Sequence, residues 1–189
     1  TLGMMGVVEG LAMMYTGGSS IFGDGLERLS FVARGEIIGV PTLVVIAFAM
    51  YVVAWMVTTR TRFGAHLYAT GDNTEAAYRA GIPVQRLRLA VFVVAGALAG
   101  LGGLLQVARV GRAQATMGAD ALFPVLTAVI LGGVSISGGR GRIVNTLIAS
   151  VFLASITNGL ILLGVATEVQ RVVQGAVLVV AVSLDRLRK

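Results

Sequence analysis

Gly71-Asp-Asn-Thr-Glu-Ala-Ala-Tyr-Arg-Ala-Gly-Ile-Pro83 is a short polar segment set between two apolar runs long enough to cross a bilayer. Asp72 stands where an N-cap would, and Glu75 follows three residues later, the spacing of a capping box. Gly81 suits the position just past a helix end, and Pro83 blocks any continuation. The segment therefore reads as a helix over Asp72–Ala80: Asp72, Asn73, Thr74, Glu75, Ala76, Ala77, Tyr78, Arg79 and Ala80. So few helical residues are not stable alone in water. A helix this brief, with both ends fixed, is suited to docking against another body.

The flanking runs decide the fold class. Pro41–Thr58 is 18 residues without a charge and gives way to Thr59-Arg-Thr-Arg62. Leu89–Ala108 is 20 residues, bracketed by Arg86, Arg88 and Arg109, and Ile143–Leu163 is 21, following Arg140 and Arg142. At about 1.5 Å per residue, such runs match a hydrocarbon core of about 30 Å. Val172–Leu184 is shorter and crosses if Glu168, Gln170 and Arg171 lie at the far interface. Ala121–Ser135, with Pro124 and the pair Gly132-Gly133, reads as a short span in preference to a re-entrant segment. Leu2–Tyr15, interrupted by Glu9, reads as the end of another span.

Composition agrees. Hydrophobic residues make up 56% of the chain, charged residues 13%, and mean hydropathy is +0.88. A soluble domain carries about twice that charged fraction. The 26 glycines suit membrane helices, where small residues let backbones approach closely. Gly96 with Gly100, and Ala99 with Gly103, give such a small-residue seam. The expected architecture is an all-α, polytopic transmembrane helical bundle with about five to six spans visible. One transmembrane domain is expected to occupy residues 1–189. Thr1 opens the chain without a start methionine and reads as the edge of a longer one. No basic stretch leads into a short apolar core, so no cleavable signal peptide is expected.

The net charge of +6 belongs with the membrane and does not call for nucleic acid. If the loop over 59–88 is cytoplasmic and the spans alternate, ten positive residues fall inside: Arg60, Arg62, Arg79, Arg86, Arg88, Arg140, Arg142, Arg186, Arg188 and Lys189. Five fall outside, Arg28, Arg34, Arg109, Arg112 and Arg171, among Asp24, Glu27, Glu36, Asp120 and Glu168. That asymmetry follows the positive-inside rule and places the C-terminus in the cytoplasm.

Enzymatic chemistry finds no foothold. The chain has no cysteine and one histidine, His66, and its carboxylates are scattered, so no triad, acid–base pair or metal site is expected. The run Gly132-Gly-Val-Ser-Ile-Ser-Gly-Gly-Arg-Gly141 lacks the Lys-Ser or Lys-Thr of a phosphate-binding loop. It reads as a tight turn between spans, with Gly138, Gly139, Arg140, Gly141 and Arg142 at the membrane surface. Asn145, Thr146, Ser150, Ser155, Thr157 and Asn158 run along one apolar helix, where helix–helix hydrogen bonding is the commoner use.

Three stretches, in this order, resemble the membrane permease subunits of bacterial ABC importers for ribose and other simple sugars. They are Gly71–Pro83, Ala128-Val-Ile-Leu-Gly-Gly-Val-Ser-Ile-Ser-Gly-Gly-Arg-Gly-Arg142 and Asn158-Gly-Leu-Ile-Leu-Leu-Gly164. The opening Thr1-Leu-Gly-Met-Met and Arg60-Thr-Arg-Phe-Gly-Ala-His-Leu-Tyr-Ala-Thr-Gly71 fit the same pattern. The resemblance implies the C-terminal part of a permease in the bacterial inner membrane. It implies that Asp72–Ala80 is the coupling helix, seated in a groove of a separate ATPase subunit through Glu75, Tyr78 and Arg79. ATP and Mg would then be used by that partner, with no cofactor bound by this chain. A solute-binding protein, periplasmic or extracellular, and a second permease copy are the other implied partners. Arg109, Arg112 and Asp120 are candidate docking residues for the binding protein. The alternative is an ATP-independent secondary carrier or channel, which would want charged or broken-helix sites at mid-membrane; Glu9 and the Pro124 segment are its only hints.

Overall fold

The computed structural model describes residues 2–23, 33, 35–37, 39–135 and 137–187. Asp24, Glu27, Arg28, Arg34, Arg188 and Lys189, used above to weigh orientation, lie outside these residues, as do the side chains of Asp120 and Arg186. Among the described residues the fold is all-α apart from one two-stranded ribbon. Helices α1 (Leu2–Thr16), α2 (Thr42–Arg60), α3 (Arg62–Asp72), α4 (Thr74–Arg79), α5 (Val84–Val110), α6 (Leu122–Leu131), α7 (Ile143–Leu162) and α8 (Thr167–Leu187) follow in chain order. The ribbon, β1 (Glu36–Ile37) and β2 (Val40–Pro41), precedes α2.

The described residues form two compact units, one from residues up to 49 with 91–120, the other from 50–90 with those from 121 onward. In the first, α1 ends at Gly17 and Gly18, whose φ values of 60° and 73° only glycine adopts freely. The antiparallel ribbon pairs Glu36 with Pro41 and Ile37 with Val40. Thr42 fastens the start of α2 by donating both its N–H (2.9 Å) and its hydroxyl (2.8 Å) to the Gly35 carbonyl. Ile21 and Ala113 exchange backbone hydrogen bonds of 2.9 and 3.1 Å. The two loop regions read as lying on one side of the membrane thus meet, through a single bridge.

In the second unit α6 packs against both α7 and α8. The buried residues described on these three helices are small: Ala128 and Thr127 on α6, Ala149 on α7, Ala181 on α8. Thr127 satisfies its hydroxyl by donating to the Phe123 carbonyl at 2.7 Å. Gln174 on α8 donates to the Thr157 hydroxyl on α7 at 3.4 Å, and the hydroxyls of Tyr51 and Ser150 share a hydrogen bond of 3.5 Å. Of the polar residues of α7, Ser150 and Thr157 thus reach a neighbouring helix, while Thr146 and Ser155 donate back to the Arg142 and Val151 carbonyls.

Three helices among the described residues are long and apolar enough to cross a membrane: α2, α5 and α7, with 19, 27 and 20 residues. Almost none of the residues in their apolar stretches are buried within the chain. Large apolar side chains such as Phe48, Leu89, Phe92, Ile148 and Phe152 are exposed on them. In hydrocarbon or against further helices that arrangement is neutral, whereas in water it would aggregate. α8 has the length, 21 residues, but carries Glu168 and Arg171 at its start. The short span read over Ala121–Ser135 is a helix of only ten residues, about 15 Å by helical rise. It stops because Gly132 and Gly133 (φ 77°) end it with a Schellman turn, Gly133 N–H to the Ile130 carbonyl and Val134 N–H to the Val129 carbonyl. Pro124 sits in its first turn, where a missing N–H costs nothing. The helix is therefore not broken at proline, and one hint for a carrier disappears.

α5 begins at Val84, five residues before the apolar run, and takes Arg86 and Arg88 into its first turns. Pro83 opens this helix as much as it closes the preceding one, since its carbonyl accepts from Leu87 N–H at 3.0 Å.

Gly132 meets α7 backbone to backbone: a Cβ there would lie 2.7 Å from the Thr146 Cα. Gly132→Ala in the full-length protein is expected to cost about 1–3 kcal/mol through overpacking. Gly159→Ala, where a Cβ has open space, serves as the comparison and should leave thermal unfolding in detergent unchanged.

Candidate functional site

The polar stretch between α2 and α5 is almost continuously helical, and its turns are defined by specific side chains. Arg60 closes α2 with its guanidinium 5.8 Å from the Trp55 ring centroid, a cation–π contact of the kind found at membrane interfaces. Thr61 then caps α3 by accepting from Gly64 N–H at 3.4 Å. Gly64 is buried against the Thr58 backbone, which leaves no room for a Cβ. The chain can reverse this tightly only with glycine at that position.

Asp72 is the last residue of α3 and does not cap the next helix. Asn73 does both jobs: its N–H donates to the Ala69 carbonyl at 3.1 Å, and its Oδ1 accepts from Ala76 N–H at 2.9 Å. The sequence expectation of a helix from Asp72 is thus corrected to α4, Thr74–Arg79. The physical reason is that Asn73, with φ −147° and ψ 102°, takes the extended conformation a cap needs, while Asp72 continues α3. No capping box forms either. Glu75 accepts instead from Arg79 at 2.6 Å, one turn on, with both side chains about three-quarters exposed. Such a pair contributes about 0.3–0.5 kcal/mol and chiefly fixes where the two charges stand.

The C-terminal reading holds. Gly81 takes φ 82° and, with Ile82, completes a Schellman motif: Gly81 N–H to the Tyr78 carbonyl (3.0 Å) and Ile82 N–H to the Ala77 carbonyl (3.1 Å). Ala77 faces inward and is buried, as are Val84 and Leu87 at the start of α5. Thr74, Glu75, Ala76, Tyr78 and Arg79 are exposed, Tyr78 at 72%. Between α4 and the start of α5 lies an open groove of ≈ 570 Å³ lined by Thr74, Glu75, Tyr78, Pro83, Arg86 and Arg88. Arg88 reaches across it to the Thr74 hydroxyl at 3.5 Å. The six-residue α4 therefore presents an aromatic ring and an ion pair outward, beside two arginines at the start of α5.

The glycine-rich turn is in contact with this region, which no motif in the sequence announces. Gly138 and Gly139 have φ 93° and 71°, and the turn is closed by Ser135 N–H to the Arg140 carbonyl at 2.9 Å. It lies against the end of α3. A Cβ at Gly71 would come within 2.5 Å of the Gly139 nitrogen, and one at Gly139 within 2.7 Å of the Asp72 Cα. Tyr68 donates its hydroxyl to the Gly141 carbonyl at 3.0 Å. Arg140 and Arg142 are exposed. Arg109 and Arg112 are exposed in the other unit, beside the Ile21–Ala113 bridge, and the Asp120 backbone lies in the 3-10 turn Ala119–Ala121. Among the described residues no group of His, Cys, Asp or Glu could hold a metal ion.

The cap reassignment is open to measurement. Asn73→Ala should cost about 1 kcal/mol locally and speed amide exchange over Thr74–Ala77, whereas Asp72→Ala should leave that exchange unchanged.

Residues 2–182 match the protein family described as branched-chain amino acid transport system / permease component. Among curated relatives, the chain is 40% identical over 187 residues to the ribose import permease protein RbsC of Bacillus subtilis strain 168, covering 98% of this chain and 58% of that one. It is 35% identical over 187 residues to the D-allose transport system permease protein AlsC of Escherichia coli strain K12, covering 99% and 57%. It is 36% identical over 151 residues to the xylose transport system permease protein XylH of the same organism, covering 80% and 38%. The chain thus spans less than two thirds of the length of these relatives. No solved structure matches it. With α4, the glycine turn and all three membrane-length helices inside the matched residues, this chain belongs to the family of membrane permease components that bears that description.

Proposed function

We propose that this chain is part of the membrane permease subunit of an ATP-driven ABC importer that carries a sugar or similar neutral polar solute across the bacterial inner membrane. The single observation that carries this reading is α4: an exposed helix too short to exist alone, capped at both ends by Asn73 and the Gly81 Schellman turn, inside a permease family. Such a helix has a use if a partner seats on it. The partner is an ATPase subunit, with Glu75, Tyr78 and Arg79 as its principal contacts and the adjoining groove completing the surface.

The sugar assignment rests on relatives named for ribose, allose and xylose at 35–40% identity, against a family description that names branched-chain amino acids. ATP and Mg are handled on the partner, and this chain contributes motion in place of chemistry. The charge asymmetry argues that α4 and the C-terminus share the cytoplasmic side. A second permease copy would present a second α4 to a second ATPase. On the opposite side Arg109, Arg112 and Asp120 would meet a solute-binding protein.

Glu75→Lys combined with Tyr78→Ala inverts one charge and removes the exposed ring. The double variant of the full-length permease should insert into the membrane normally yet retain ATPase on purification at least about tenfold less than wild type, with uptake lost in parallel. Uptake that survives the double change would refute the docking role of α4.

A further inference from the structure

We infer that the glycine turn is the bearing through which displacement of α4 reaches α6 and α7, with Tyr68, Gly71 and Gly139 as positioning residues. This rests on α4 being the helix that a partner moves. Three successive positions on one face of α3, Tyr68, Gly71 and Asp72, touch the turn. Glycine stands on both sides of the contact: a Cβ at Gly138 would lie 2.7 Å from the Gly71 carbonyl oxygen, and one at Gly71 would lie 2.5 Å from the Gly139 nitrogen. Backbone therefore rests on backbone, with no side-chain rotamer between them to absorb a push.

Each side of the bearing is stiff. On one side Asn73 belongs to α3 and α4 at once, through its N–H to Ala69 and its Oδ1 from Ala76. The two helices therefore cannot move far independently. On the other side the turn is closed on itself, joined to the end of α6 by Val134 N–H to the Val129 carbonyl (3.2 Å) and to the start of α7 by Asn145 N–H to the Arg142 carbonyl (3.1 Å). Gly132 then holds α6 on α7 at the Thr146 backbone. Close-packed bodies of this kind shift between arrangements as units and do not deform continuously. A motion of α4 is delivered to the ends of α6 and α7, and α8 packs against the first of these.

The decisive variant is Gly71→Ala in the full-length permease, purified with its ATPase and reconstituted with the binding protein. Gly71 lies in α3 and has no positive φ, and alanine is the better helix former, so the substitution offends only the contact. The expected result is ATPase co-purification and basal hydrolysis within about twofold of wild type, with uptake and binding-protein-stimulated hydrolysis down about tenfold. Tyr68→Phe, which removes only the hydroxyl donated to Gly141, should lower both stimulated readouts by about threefold. Wild-type uptake and stimulation in Gly71→Ala overturn the bearing. Loss of the ATPase from that variant overturns it too, because the turn would then be supporting the docking face and not transmitting motion. A wild-type permease that retains no ATPase brings down the docking reading itself, and the bearing with it.

Discussion

Close approach of backbones is the constraint on which this structure depends. Within a bilayer, apolar side chains gain little by leaving lipid for protein, so helices associate through van der Waals packing and hydrogen bonds that need short distances. Glycine and alanine supply those distances here. Gly132 sits on the Thr146 backbone, and the buried positions described on α6, α7 and α8 include Ala128, Ala149 and Ala181; in the polar stretch Gly64 sits on Thr58 and Gly71 on Gly139 in the same way. The large residues point the other way, as Phe48, Phe92 and Phe152 do. A soluble protein would invert that distribution.

The same constraint joins the polar region to the membrane helices. α4 alone has too few residues to hold its shape, and it depends on Asn73, Gly81 and the buried Ala77 for it. α3 in turn depends on the glycine turn that abuts its last residues. A chain of short contacts therefore leads from an exposed platform to the ends of α6 and α7, with a single linking residue between α3 and α4. This economy of linkage makes the platform suited to transmitting movement, since few soft elements lie along the route.

Reading the sequence located the elements well where a signal was periodic or punctuated. The apolar runs became α2, α5 and α7, and Gly81 occupies the left-handed position assigned to it. It erred at Asp72, because Asp and Asn are both good caps and adjacent in the chain; only the continuation of α3 chooses between them. It overextended the segment at Ala121–Ser135, taking an uncharged run as a span although Gly132 and Gly133 end the helix at Leu131. Glu75 had two partners within reach, the cap backbone and Arg79, and the ion pair one turn away prevailed.

The sequence by itself determined that this is a helical membrane protein, where its long spans lie, and that a short capped helix stands between two of them. Those properties are local: they follow from hydrophobic run length, from the preference of glycine for positive φ and from the hydrogen-bonding of cap side chains. Only the tertiary structure decided that Gly138 and Gly139 rest on Gly71 and Asp72, and that Tyr68 bonds to Gly141. Those residues are separated by about seventy positions, and a glycine makes its contact by what it lacks. Nothing in its own neighbourhood names the backbone that will fill the space, because that partner is set by how α6, α7 and the turn between them are packed.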